Sequence, residues 1–148
     1  MIGLDTNIIV RYLTQDDPDQ SPKATNLIER RLRADNPGFV SIVAMAETAW
    51  VLERIYGLRA EELAVAIERM LQVDVLVIES EQEVFAAMTT LQQGLGSFAD
   101  ALIGALGARA GCSHTMTFDQ QALRIPTFRP VWTKAAEVRL TPGISGDA

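Results

Sequence analysis

Four carboxylates lie at positions in the chain where an acid need not be fully exposed to solvent, either at the end of a strand or within a helix. Asp5 and Asp119 follow runs typical of strands, whereas Glu47 and Asp100 lie in segments with helical spacing. Carboxylates that lie close together repel one another, and some stay protonated unless a counter-charge is present. Their hard oxygen atoms suit Mg²⁺ or Mn²⁺, and the chain has one Cys and one His, too few for a zinc set. The four acids therefore indicate a metal site, provided that the fold gathers them in one pocket.

The two strand-end acids also have a simpler structural interpretation. Asp5 and Asp119 could each cap the helix that follows, since Asp is a favoured N-cap residue. For Asp5 this interpretation is weaker, because Thr6 or Asn7 could cap the same helix. In a parallel α/β sheet, by contrast, ligands bind at the carboxyl ends of the strands. The sequence leaves both interpretations open.

The two helical acids also allow two interpretations. An acid in a first helical turn, such as Asp100, complements the helix dipole without any ligand. Glu47 could extend to solvent from the edge of its helix or pair with an Arg. Burial of an unpaired carboxylate within an apolar face is costly, however, and favours a metal. The helical neighbours of Glu47 are all apolar: Val43, Ala44, Trp50 and Val51.

Short strands alternate with helices along the chain, as expected for an α/β domain with a mostly parallel sheet. The patterns predict strands at 1–5, 39–40, 73–78, 114–118 and 130–133, and helices at 7–14, 21–34, 42–56, 59–71, 80–93 and 98–109. The first strand is expected to be buried. Ser41 and Ser97 are predicted N-caps, and the small residues Gly104 and Gly107 predict close packing of the last helix against the sheet. Residues 1–140 are expected to form one domain, and 141–148 a loose tail.

Composition narrows the classes of function. The 148 residues are 48% hydrophobic, enough for one core without disulfides, and no apolar run is long enough to span a bilayer. A net charge of −6 argues against a general nucleic-acid coat protein. The lone Cys112 and the lack of a basic stretch before an apolar one at the N-terminus favour a reducing cytoplasm.

Four motifs in the chain resemble the PIN-domain family, and closely the VapC-type ribonuclease toxins of type II toxin–antitoxin systems. They fall in family order and spacing over about residues 1–125: IGLDTNIIVRYL at the N-terminus, Ala46-Glu47, FADALIGALGARAGC from Phe98, and TFDQ from Thr117. Many relatives read DFADALI where this chain has Ser97 in place of the first Asp. The family's principal ligand in that motif corresponds to Asp100, which is present.

The resemblance implies a three-layer α/β/α fold with a mostly parallel central sheet of four to five strands. It implies a ribonuclease that uses Mg²⁺ or Mn²⁺, an RNA substrate, a cognate antitoxin and a homodimer, with no membrane association. Arginines such as Arg11 would hold the RNA backbone, but the sequence does not place them. Carried over to this numbering, the acidic quartet would be Asp5, Glu47, Asp100 and Asp119, with Thr6, Asn7 and Thr117 as polar supports.

Two rival functions stay open at this point. One is a catalytically silent PIN-like module that only binds partners, although the presence of all four acids argues against it. The other is a phosphatase of the haloacid dehalogenase type, with Asp5 as the nucleophile. That chemistry needs a second Asp two residues on, where this chain has Asn7, and no convincing downstream Lys stands before the last acids.

Overall fold

Residues 1–132, which the computed structural model describes, form six α-helices and five short strands. The predicted tail at 141–148, the end of the predicted domain from 133 to 140 and the last residue of the predicted strand at 130–133 lie outside the described residues. The strands are β1 (Ile2–Gly3), β2 (Gly38–Val40), β3 (Leu76–Ile78), β4 (Thr115–Thr117) and β5 (Phe128–Pro130). The helices are α1 (Thr6–Thr14), α2 (Gln20–Asn26), α3 (Ile42–Arg54), α4 (Ala60–Leu71), α5 (Glu81–Gln92) and α6 (Phe98–Arg109).

Within residues 1–132 the paired strands all run parallel, which confirms the predicted α/β class. One sheet has the order β1-β2-β3, and β4 pairs with β5 in a second sheet. The prediction that the first strand is buried is wrong, since Ile2 and Gly3 are both exposed. The reason is the position of β1 at the edge of its sheet, where only β2 covers it. The carboxyl ends of β1 and β2 lie side by side, with the Leu4 N–H donating to the Phe39 carbonyl at 2.9 Å.

Local side-chain caps begin the two helices that carry the predicted helical acids. Ser41 Oγ accepts from the Ala44 N–H at 3.1 Å, and Ser97 Oγ accepts from the Asp100 N–H at 3.1 Å. Both predicted caps are confirmed. The cap expected for α1 is wrong: Asp5 caps that helix, and Thr6 is already its first residue. Asp5 has the extended backbone of an N-cap, which places its carboxylate against the first helical N–H.

The second predicted helix is not one regular helix. Seven residues of α2 are followed by a π-helical turn at Leu27–Arg31, which the Leu32 N–H closes onto the Leu27 carbonyl at 2.9 Å. A π turn holds more residues than an α turn, so it changes which side chains share a face. No apolar spacing in the sequence marks this change.

The core lies between the first sheet and the inner faces of the helices. Within it, α3 packs against α1, α4 and α6, and α5 packs against α4 and α6. The largest fully buried side chains include Ile9, Ile28, Met45, Leu52, Leu63, Ile67 and Phe98. Among residues 1–132, no helix is both long enough and apolar enough to cross a membrane.

The predicted close approach of α6 to a strand is confirmed. A Cβ atom on Gly104 would lie 2.8 Å from Cε2 of the buried Phe128 and 2.8 Å from Oγ1 of Thr127. At Gly107 the nearest atom would be Thr115 Oγ1, at 3.3 Å. These contacts hold α6 against β5 and β4, and so hold Asp100 relative to the strand that leads to Asp119.

Candidate functional site

Asp5 stands at the carboxyl end of β1, where the chain turns into α1. Its Oδ1 accepts from the Thr6 N–H at 2.8 Å, while Thr6 itself is buried. Its Oδ2 has no hydrogen-bond partner within residues 1–132, and the side chain is exposed. The capping interpretation is thus correct for one oxygen of Asp5, and the other oxygen is available to a ligand. Asn7, which follows Thr6 in α1, is also exposed.

Glu47 does not lie in a buried face of α3, so the burial argument from its apolar neighbours is wrong. Its side chain is exposed, and the neighbouring Val43 and Trp50 are 71% and 57% exposed. Because α3 is apolar on more than one side, the sequence could not show which side faces the core. The side that does so carries Ala44, Met45, Thr48, Ala49 and Leu52.

Asp100 lies in the first turn of α6, as predicted. Its backbone N–H is capped by Ser97, and its side chain is half-buried. Ser97 thus keeps the capping function that Asp at this position would also supply, while one carboxylate fewer stands beside Asp100. Within the described chain, the Asp100 carboxylate makes no hydrogen bond to the protein.

Asp119 is exposed and follows β4 in a tight turn. Its Oδ1 accepts from the Gln121 N–H at 2.8 Å, and its own N–H donates to Thr117 Oγ1 at 2.9 Å. The capping interpretation is wrong for Asp119: this contact closes a local turn, and the short 3-10 helix that follows at Ala122–Arg124 has Gln121 as its N-cap, with no side-chain cap. Thr117 thus fixes the backbone of Asp119.

The elements that carry the four acids are neighbours. Asp5 begins α1, and α3 packs against both α1 and α6, while α6 packs against β4. The carboxylates themselves are spread over this surface: within residues 1–132, no group of three or more His, Cys, Asp or Glu side chains is arranged so that it could hold a metal ion. Their gathering around a metal ion therefore stays a prediction.

The donor chemistry fits a hard divalent cation. All four groups are carboxylates, the ligands that Mg²⁺ and Mn²⁺ prefer, and each has at least one oxygen with no protein partner in the described region. Asp5 and Asp100 also stand at the N-terminal ends of α1 and α6.

One acid that the sequence did not single out helps to position this surface. Glu79 follows β3, and its Oε2 accepts from the Ile42 N–H at 2.7 Å. Together with Ser41 it satisfies the first donors of α3, and so fixes the start of the helix that carries Glu47. Its position just after the third strand was a usable signal, but its partner is 37 residues away in the chain.

A second feature that the sequence did not reveal is a polar network around Arg11. Its Nε donates to Gln20 Oε1 at 2.9 Å, and its Nη1 donates to Asp16 Oδ1 at 3.2 Å and to the Tyr56 hydroxyl oxygen at 3.0 Å. Hydrogen bonds from Tyr56 and Thr14, with the charge of Arg11 adding to them, lower the pKa of Asp16 to about 2. The network joins α1 to the start of α2 and to the segment after α3.

With this fold and these acids in place, the class of protein follows from comparison with known families. The PIN domain model matches residues 2–128, a range that includes all four acids. The chain therefore belongs to the PIN domain family, whose members are generally nucleases. No curated protein matches the chain.

Proposed function

We propose that this PIN domain is a metal-dependent endoribonuclease, and that it is the toxin of a toxin–antitoxin pair. The observation that carries the proposal is the family match, because it spans Asp5, Glu47, Asp100 and Asp119 together. The step from nuclease to ribonuclease toxin is supported by the motif resemblance. The structure adds that each acid has an oxygen available to a ligand.

In the proposed mechanism, the four acids have different roles in binding a metal ion and a water molecule. Asp5 and Asp100 would hold the metal directly, Glu47 would bind the metal or orient water, and Asp119 would act through water. Mg²⁺ or Mn²⁺ held by these acids would lower the pKa of the attacking water and offset the negative charge of the transition state. No side chain is needed as a nucleophile. Thr117 and the first turn of α1 hold Asp119 and Asp5 in place.

The proposed partners are RNA, an antitoxin and a second copy of the chain, in the cytoplasm. Large exposed apolar side chains on two helices support a protein interface, although α3 and α5 do not pack closely against each other. They include Val43 and Trp50 on α3 and Phe85 on α5, which is 57% exposed.

The test is incubation of the purified chain with labelled RNA in Mg²⁺, in Mn²⁺ and in EDTA. We expect internal cleavage with either metal and none in EDTA. Two parallel measurements address the rival functions. Hydrolysis of a small phosphate ester without RNA cleavage would favour a phosphatase. No RNA cleavage, together with no heat of binding in a calorimetric titration with millimolar Mg²⁺ or Mn²⁺, would favour a silent binding module.

A further inference from the structure

A groove whose lining residues include more cations than anions lies beside the start of α1, although the chain has a net charge of −6. This α1–α2 groove has a volume of about 510 Å³ and lies between α1 and α2 with its π-helical continuation. Three cationic side chains, Arg11, Lys23 and Arg31, line it against one carboxylate, Asp19. Asp16, which pairs with Arg11 at 3.2 Å, is not one of the lining residues. Its uncharged lining residues are Asn7, Ile8, Gln20, Ala24 and Leu27.

Arg11 is the most firmly held of the three cations. Its Nε is occupied by Gln20 and its Nη1 by Asp16 and Tyr56, and the side chain is only 31% exposed. Its Nη2 has no hydrogen-bond partner within residues 1–132. A guanidinium fixed in this way loses little further freedom when it binds an oxyanion.

The other two cations face the groove from the second helix. Lys23 and Arg31 are eight residues apart, and the π turn between them, closed by the Leu32 N–H, keeps both on the groove side. Lys23 pairs with Asp19 at 3.1 Å, but both side chains are about three-quarters exposed. Such a pair contributes little to stability, so Lys23 can exchange Asp19 for a phosphate at low cost.

We propose that the α1–α2 groove binds the phosphate backbone of single-stranded RNA and leads it to Asp5. Asn7 lines the groove two residues beyond Asp5, so a strand that follows the groove arrives at the acid that begins α1. The cations contact phosphates, and Ile8 and Leu27 provide apolar contact for ribose or base. A basic groove that tracks the backbone is how proteins hold single strands without reading their sequence. This inference rests on the proposed ribonuclease function.

The test measures binding apart from cleavage, as fluorescence anisotropy of a labelled oligouridine in EDTA. The variant Lys23→Gln/Arg31→Gln removes two groove cations. We expect weaker binding, and a plot of log affinity against log salt that is shallower by about 1.4, since each phosphate contact on a single strand contributes about 0.7. The range of about 50 to 200 mM salt is enough to measure the slope.

A matched control removes the same charge elsewhere. Arg59 forms an exposed ion pair with Glu62, as Lys23 does with Asp19, and Arg54 is an exposed cation that does not line the groove. The variant Arg54→Gln/Arg59→Gln should keep the wild-type salt slope. The variant Asp19→Asn should bind oligouridine more tightly, by roughly 1.5- to 5-fold, the range for an exposed ion pair. This gain cannot result from misfolding.

Equal affinities and salt slopes for the groove variant and the control variant would overturn the proposal. The groove would then be a candidate binding site for an acidic segment of a protein partner instead of RNA. Cleavage is measured separately, with wild type in Mg²⁺ and Mn²⁺. If wild type binds through the groove but cleaves no RNA, the ribonuclease proposal fails and the groove stands. If wild type cleaves RNA and the groove variant binds and cleaves like wild type, the groove alone fails.

Discussion

Asp5 combines a structural contact with a proposed chemical one, and substitutions can separate the two. Asn is as good an N-cap as Asp but a poorer ligand for a hard cation, whereas Ala is neither. We expect Asp5→Asn to melt close to wild type, and Asp5→Ala to lose about 1 kcal/mol of stability. Both variants should lack detectable RNA cleavage. Thermal melting checks the first pair of expectations and a cleavage assay the second. Cleavage that falls only in step with stability would mean that Asp5 is a cap and nothing more.

Thr48 presents a different problem, because its hydroxyl is buried without a partner. The side chain is 1% exposed, and its Oγ1 has no hydrogen bond in the described part of the chain. An unsatisfied buried polar group destabilises a protein, and Val has the same branched shape without the hydroxyl. Thr48→Val should therefore raise stability by about 1 kcal/mol, or roughly 2–4 °C in Tm. A lower Tm would show that the hydroxyl is satisfied by a buried water.

At the scale of elements, the close packing of α6 gives a pair of glycines with opposite expected effects. Gly104→Ala places its Cβ 2.8 Å from the Phe128 ring, which is buried and cannot swing aside. Overpacking should exceed the gain in helix propensity, for a net loss of about 1 kcal/mol. Gly107→Ala has its nearest neighbour at 3.3 Å, so its stability should stay level or rise. Equal unfolding midpoints in urea for the two variants would contradict the observed packing.

The Arg11 network gives α1 and α2 a joint dependence on pH. Hydrogen bonds from Tyr56 and Thr14 lower the pKa of Asp16 from its ordinary 3.8 to about 2. A lowered pKa in the folded state means that the stability is present above pH 3.8 and is lost as the pH falls through about 2. The Tm of Asp16→Asn should therefore lie below that of wild type at neutral pH, and the gap should close towards pH 2.

The control for this experiment is Asp35→Asn, which removes an exposed carboxylate in the turn before β2. Its Tm should follow that of wild type at every pH. A gap between wild type and Asp16→Asn that is constant from neutral pH to pH 2 would rule out the charge of Asp16 as the source of its stabilising effect.

The sequence predicted those features of the elements that depend on local chemistry. The caps at Ser41 and Ser97 and the tight packing at Gly104 all follow from residue type at a known place in a helix. The exposure of Glu47 could not be predicted in this way. Helix α3 has apolar residues on two sides, and only the tertiary fold determines which side faces the core. The sequence did not predict the π turn or the Glu79 contact, because neither produces a periodic pattern of residues. The Glu79 contact also joins segments that are far apart in the chain.

At the scale of the whole molecule, the net charge of −6 does not reflect how the charged side chains are distributed over the surface, which is uneven. Two of the candidate acids, Asp5 and Asp100, lie at the starts of α1 and α6, while the lining of the α1–α2 groove has more cations than anions. An acidic chain can thus present a basic surface to RNA where it is needed and still repel nucleic acid elsewhere. The average charge argued only against a general coat protein, and that exclusion is compatible with a nuclease.

The central claim is that the acids around Asp5 cut RNA, and the most direct test is sequencing of RNA ends after expression of the chain in cells. Wild type should produce new internal ends at recurrent positions. Asp5→Asn, expressed to the same level and folded, should produce none of them. The same ends in Asp5→Asn, or no new ends with folded wild type, would contradict the claim.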